Sequence, residues 1–202
     1  RPGQGKSKFL DSMWDSMLGK VIQDKVQVFY LNSNDEIYHV YQSMLWINYV
    51  YSALESRYDM FREYGIRSVR EYNEQNREEE MPYIVIIFDE YTILQDSALK
   101  KTVLKLAQKG PRVGIHIIMS TSHPSVNVIS NKIKILFPTR IAFKTRTRVD
   151  SRTILDMSGA EELNAFYDML LLHDAELYKL EAIFSRNISL LAGAIDFYNL
   201  KQ

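Results

Sequence analysis

Cysteine is absent from the 202 residues, which excludes a disulfide scaffold and any thiolate metal site. Long apolar runs are absent too: no window holds the roughly 18 uninterrupted apolar residues of a membrane span, and nothing resembles a signal peptide. Glycine and proline are few, at 8 and 5, and no linker, internal repeat or low-complexity tract is visible. The four histidines are scattered without ligand spacing, which argues against zinc. Net charge is missing as well, since 25 Lys and Arg offset 25 Asp and Glu, and that excludes a uniformly basic coat. What is present is a 46% apolar chain, ordinary for a globular core and of a length that suits one domain.

The zero sum hides a polarity along the chain. From Lys100 to Arg152 there are twelve basic residues and one acid, Asp150, giving +11, while the remaining 149 residues carry −11. Such asymmetry points to a face that meets a polyanion, or else to a solvated basic surface that meets nothing.

The apolar residues Phe9, Leu10, Met13, Trp14, Met17 and Leu18 recur at helical spacing after a glycine-containing turn. Val26–Leu31 reads as a buried strand, residues 37–64 as a long helix, and Arg77–Glu80 as a solvated end. Tyr83–Phe88 is the clearest strand, followed by a helix over 97–109 and short strands at Gly114–Met119 and Thr139–Phe143. The end reads as a strand over Ala175–Phe184 and a helix over Ser189–Leu200. Uniformly apolar strands alternating with helices indicate an α/β domain with a parallel sheet covered on both faces. Trp14 and Trp46 fall on apolar helical stripes and read as core, and His116 reads as packed within its strand.

Gly3-Gln-Gly-Lys-Ser7 ahead of a helix is most of a Walker A loop. Glycines let backbone N–H groups face phosphate oxygens, and the helix N-terminus adds its positive dipole end. In that reading Gly3, Gln4, Gly5, Lys6, Ser7 and Lys8 bind nucleotide, Lys6 reaches the β- and γ-phosphates, and Ser7 takes a Mg2+ position. The motif's first glycine falls just before Arg1, as expected of a chain cut at its N-terminus. Asp89 and Glu90 end the apolar strand, where α/β sheets place ligands. Asp89 can hold Mg2+ and Glu90 can act as general base toward the attacking water. A glycine-rich turn and a surface pair of acids are the plainer alternatives, but in this order, about 80 residues apart, the two signals support ATP hydrolysis.

The chain resembles the FtsK/SpoIIIE motors, RecA-like ATPases that pump double-stranded DNA. Glu55-Ser-Arg-Tyr58, Gly65-Ile-Arg67 and Glu71-Tyr-Asn73 are similar to the family's helix ahead of the Walker B strand. Leu106–Gly110, Gly114–His116, Pro124–Ile129, Pro138–Phe143, Val149–Asp156 and Gly159-Ala-Glu161 also match, in order. The resemblance implies a RecA-like P-loop NTPase over residues 1–202, with a mostly parallel sheet and helices on both faces. It implies ATP and Mg2+ as cofactors, a hexameric ring around duplex DNA, and a cytoplasmic motor whose full-length protein is anchored at the bacterial inner membrane. Lys132 and Lys134 lie where the family has channel-facing loops, with an ordinary surface role as the alternative. No membrane contact is expected from this segment, and neither the family's membrane region nor its winged-helix module is expected within it.

Several positions depart from the family. Ser122-His123 replace a Gln-Arg pair that senses the γ-phosphate. Pro111 precedes Arg112, a candidate to act on a neighbouring subunit's site. The family's Asp-Pro-Lys strand end is missing between Leu31 and Leu45, and Phe166-Tyr167 replace a small, glycine-containing step. Related ATPases of conjugation or type VII protein secretion, and a weakly active scaffold subunit, are the alternative readings.

Overall fold

The computed structural model describes residues 5–31, 36–94, 97–164 and 168–181. Gly3, Gln4, Phe166-Tyr167 and the helix expected over Ser189–Leu200 lie outside these residues, as does the end of the strand expected over Ala175–Phe184. The chain divides into two compact units, one of Lys20–His123 with Ser130–Phe137, the other of Arg1–Gly19, Pro124–Ile129 and Pro138–Gln202.

In the first of these, β1 (Val26–Leu31), β2 (Tyr83–Phe88) and β3 (Ile115–Met119) form a parallel sheet in that order. Tyr83 pairs with Val26 and Ile84 with Ile115. The run Ile84, Ile86, Ile87 and Phe88 is buried at adjacent as well as alternate positions, so β2 is covered on both faces. Helix α1 (Lys6–Ile22) precedes β1, and α2 (Glu36–Glu63) and α3 (Val69–Gln75) lie between β1 and β2. Helix α4 (Ser97–Lys109) leads back toward β3 and buries Leu99, Val103 and Leu106 at helical spacing. The buried stripe of α2 runs through Ile47, Val50, Leu54 and Phe61 and includes a charge, Arg57. Its guanidinium donates to the Val113 carbonyl and to that of Pro82, both at 2.8 Å, which ties α2 to the start of β2 and to the turn before β3. Burial pulls the Arg57 pKa below the ordinary arginine value, and carbonyl acceptors are what make a buried cation tolerable.

Glycine is required where that turn closes. A Cβ on Gly110 would lie 2.6 Å from the Ile115 carbonyl oxygen, and Gly114 has φ +78° with the Val69 methyls at 3.1 and 3.2 Å from its Cβ position. The polar stretch before β2 is also ordered. Ser68 caps α3 by accepting from the Glu71 N–H, and Asn73 exchanges two hydrogen bonds with the Met81 backbone. The block Glu71-Tyr-Asn73 therefore fixes the entry into the central strand.

The second unit holds an antiparallel sheet, β4 (Arg140–Phe143), β5 (Asp168–His173) and β6 (Glu176–Glu181), in that order. The α/β reading and its parallel sheet hold, and this antiparallel sheet is an addition to them. Its cause is local: Asp174 and Ala175 take φ of 50° and 63°, a two-residue hairpin that forces β6 back along β5. Helix α6 (Arg148–Leu155) begins in a capping box in which Thr147 and Asp150 satisfy each other's backbone N–H. Ala142, Leu155, Ala160, Leu163, Leu170 and Leu172 form the core. Ser151, fully buried, donates to the Met157 carbonyl and accepts from the Ala160 N–H. Phe9 of α1 meets the Phe143 ring edge-on, with centroids 5.8 Å apart.

Candidate functional site

Lys6 and Ser7 belong to the unit with the antiparallel sheet, Asp89 and Glu90 to the unit with the parallel one. At the start of α1, Gly5 takes φ +91° and its carbonyl accepts from the Phe9 N–H at 2.8 Å, the first intrahelical bond. Lys6 and Ser7 therefore occupy the first turn, where backbone N–H groups have no intrahelical acceptor. No acid stands in that turn, so its dipole end is not neutralised locally. Lys6 is half-buried, while Ser7 and Lys8 are exposed.

At the other position, the parallel register brings the C-terminal ends of β1, β2 and β3 to one edge. Asp89 N–H donates to the Leu31 carbonyl, and Asp89 is buried. Beyond the ladder, the Ser120 N–H donates to Phe88 and the Tyr91 N–H to Ser120, each at 2.8 Å. This continues the β2–β3 pairing past both strands and sets residues 120–122 beside Glu90. The Glu90 carboxylate is grasped at both oxygens: Oε1 accepts from the Thr92 hydroxyl at 2.8 Å and Oε2 from the Ser122 N–H at 2.7 Å. Tyr91, buried and edge-on to Phe88, has its pKa pushed up by burial. The structure thus joins two residues that the sequence singled out, Glu90 and Ser122, through the Ser122 backbone. It adds Thr92, whose only sequence signal is a hydroxyl two residues after the acid.

Arg112 lies in the turn Gly110–Val113 and is exposed. Its Nε donates to the Arg67 carbonyl at 2.6 Å, and its guanidinium lies 5.9 Å from the centroid of the Tyr58 ring. Tyr58 in turn donates to the Lys109 carbonyl. The blocks around Tyr58, Arg67 and Gly110 therefore meet around Arg112. His116, stacked on Tyr83, has its pKa lowered by burial, which favours the neutral ring.

Lys132 and Lys134 stand on α5 (Asn131–Leu136), capped by Ser130. Two positions apart is about 200° around a helix, so they do not share a face. Lys132 is exposed and Lys134 half-buried. The rest of the basic segment is partly paired. Arg140 contacts Asp156 at 2.8 Å, and Arg148 contacts Glu161 at 3.3 Å. These partners lie beyond Arg152, so the +11 segment does not present all its charge to solvent.

Each unit by itself carries donors of a kind that a magnesium nucleotide takes. A hydroxyl and a lysine at a helix N-terminus suit phosphate, and a single buried aspartate suits Mg2+, which keeps several waters and leans on phosphate oxygens. Among the described residues, no three or more His, Asp or Glu are grouped to hold a metal by themselves. Among the same residues no helix is long and apolar enough to cross a membrane.

No family model matches the chain. It is 44% identical over 124 residues to DNA translocase FtsK of Chlorobaculum tepidum, covering 60% of this chain and 15% of that protein. It is 33% identical over 194 residues to DNA translocase SftA of Bacillus subtilis, covering 85% of this chain and 20% of that protein. The chain therefore spans a fifth or less of the length of these two relatives. Among solved structures, the pCW3 conjugation coupling protein TcpA, in a monomer form with ATPgS, superposes with a TM-score of 0.78 at 19% identity. That match covers 91% of this chain and 58% of TcpA, and it bears on the fold alone, which is RecA-like α/β. Identity at this level to FtsK and SftA over most of its length makes the chain a homologue of the FtsK/SpoIIIE family of DNA translocases.

Proposed function

We propose that residues 1–202 are the RecA-like motor portion of an ATP-driven double-stranded DNA translocase that works as a ring, hexameric as in the resemblance, in the cytoplasm. The observation that carries this reading is the Glu90 carboxylate, fixed at the carboxyl edge of an apolar parallel sheet, in a chain homologous to proteins named DNA translocases. Mg2+–ATP supplies the phosphoanhydride whose hydrolysis drives movement. Lys6 and the first amides of α1, with Gly3, Gln4, Gly5 and Lys8, bind phosphate oxygens, and Ser7 and Asp89 are the donors for the ion. Glu90 orients the attacking water and accepts its proton at a carboxylate oxygen. Ser122 lies where the state of the γ-phosphate is sensed, and Arg112 serves a neighbouring subunit. Lys132 and Lys134 contact the DNA backbone, which conveys charge and no sequence.

The test is multiple-turnover ATPase with and without duplex DNA. Turnover should rise with DNA and fall about a hundredfold or more in Lys6→Ala and in Glu90→Gln. Undiminished hydrolysis in both variants removes the site assignment. Lys132→Glu should lower duplex affinity and reduce the dependence of log K on log salt by about one phosphate contact, a slope change near 0.9. An unchanged slope removes Lys132 from the DNA surface.

A further inference from the structure

The donors on Glu90 come from two different segments, and that difference has a use. Thr92 follows Glu90 in the same turn, Tyr91–Ile93, so its hydroxyl moves with the acid. The Ser122 amide belongs to the segment after β3, two residues beyond Ser120, whose N–H and carbonyl carry the β2–β3 pairing past the strands. One carboxylate oxygen is therefore held locally and the other by a neighbouring strand's extension. Both donors act on an ionised acceptor, the stronger kind of hydrogen bond, and together they fix the plane of the group.

We propose that Thr92 is a positioning residue for Glu90, and that it and the Ser122 N–H together form a two-point hold that aims the carboxylate at the attacking water. The inference rests on the reading of Glu90 as the general base. It gives the 120–123 segment a route to the base that needs no long side chain: displacement of the Ser122 amide turns the carboxylate about its Thr92 anchor. Ser122, a short side chain, is then compatible with coupling, because the backbone makes the contact.

The experiment compares Thr92→Val, which keeps the shape and removes the donor, with Thr92→Ser, which keeps the donor. Both are measured beside Glu90→Gln for ATPase kcat and KM in the presence of duplex DNA, and for thermal midpoint. Thr92→Val should lower kcat roughly tenfold, in line with the loss of one charge-assisted hydrogen bond, with KM for ATP within about twofold. Thr92→Ser should restore kcat to within about twofold of the unsubstituted protein. A Thr92→Val enzyme with unchanged or raised kcat, a change confined to KM, or a Thr92→Ser enzyme as slow as Thr92→Val overturns the positioning role while leaving Glu90 as base. A fall in kcat that merely tracks a lowered thermal midpoint in both Thr92 variants overturns it too. If Glu90→Gln hydrolyses ATP as fast as the unsubstituted protein, the hydrolytic reading itself fails and this inference falls with it.

Discussion

Among the described residues the parallel and antiparallel sheets each have three strands, yet they distribute burial and chemistry differently. In the parallel sheet the central strand β2 is enclosed, with Ile86 and Ile87 both buried although they point to opposite faces. In the antiparallel sheet β5 is buried at its first five positions, while its neighbour β6 is exposed at five of six and carries Glu176, Lys179 and Glu181. Charges on an outer strand discourage further pairing. Parallel strands all end on one side, so the segments after β2 and β3 meet, and Glu90 finds a donor on Ser122. Antiparallel ends alternate, and the polar groups of that unit go into caps and ion pairs instead: Thr147 with Asp150, Arg140 with Asp156, Lys179 with Asp168. The matching sequence blocks accordingly divide into those that gather chemistry and those that brace a hairpin and a short helix.

The largest expected effect lies on the parallel edge. Glu90→Gln should reduce turnover about a hundredfold or more yet cost only about 1–2 kcal/mol of stability, since it keeps the volume and one acceptor oxygen while its two charge-assisted bonds become neutral ones. A large loss of stability would make Glu90 a structural residue and erase the contrast. Next come two truncations that compare the cores. Leu106, fully buried on α4, should cost about 4–5 kcal/mol on replacement by alanine. Leu172, on β5 beside an exposed strand, should cost about 2–3 kcal/mol, because its surroundings can relax into the space. Denaturant unfolding of both variants checks the order, and a larger loss at Leu172 would show the antiparallel unit to be the more tightly packed. Smaller still, Thr147→Ala should destabilise by about 1 kcal/mol through the lost cap of α6, with ATP turnover unchanged.

Sequence alone located β1, β2 and α4 with their observed bounds, because uniform apolar runs and a strong helical stripe need no tertiary context. The long helix over residues 37–64 appears as one unbroken element, α2. The short strands β3 and β4 were placed to within one residue, but other short elements escaped it. Helix α3 hides in a polar stretch and depends on the Ser68 cap and on Asn73 reaching Met81. Helices α5 and α6 span six and eight residues, too few for a periodicity to stand out. Strand β5 is a brief apolar run whose identity as a strand follows from its pairing with β4 and β6. The places of Lys6 and Ser7 at the start of α1, and of Asp89 and Glu90 after β2, were legible because each sits at an element's end, where residue type and position speak together. The hold on Glu90 was not, since one of its donors is a backbone amide, which every residue but proline carries. Only the adjacency of β2 and β3 selects the amide of Ser122.

The smallest effect sits on the exposed strand and tests whether its charges contribute at all. Asp168, buried at the start of β5, receives Lys179 Nζ at 3.2 Å and the backbone N–H and side-chain amide of Asn164, both at 3.3 Å. The Lys179 contact first, then the Asn164 N–H, hold the Asp168 pKa below its ordinary value. The unfolded chain has no such contacts, so between the two pKa values it binds more protons than the folded one, and stability there rises with pH. The pair's contribution is therefore complete above the unfolded carboxyl pKa of about 4 and fades as pH falls through the lower folded value. Lys179→Met removes the first donor and leaves those of Asn164. Its unfolding midpoint should lie slightly below that of the unsubstituted protein at pH 7, and the gap should narrow as the pH is lowered past 4. A gap of the same size at pH 3 and pH 7 would mean that Lys179 acts through the packing of its methylene stem over β5, and β6 would then be held by apolar contact like the strands of the parallel sheet.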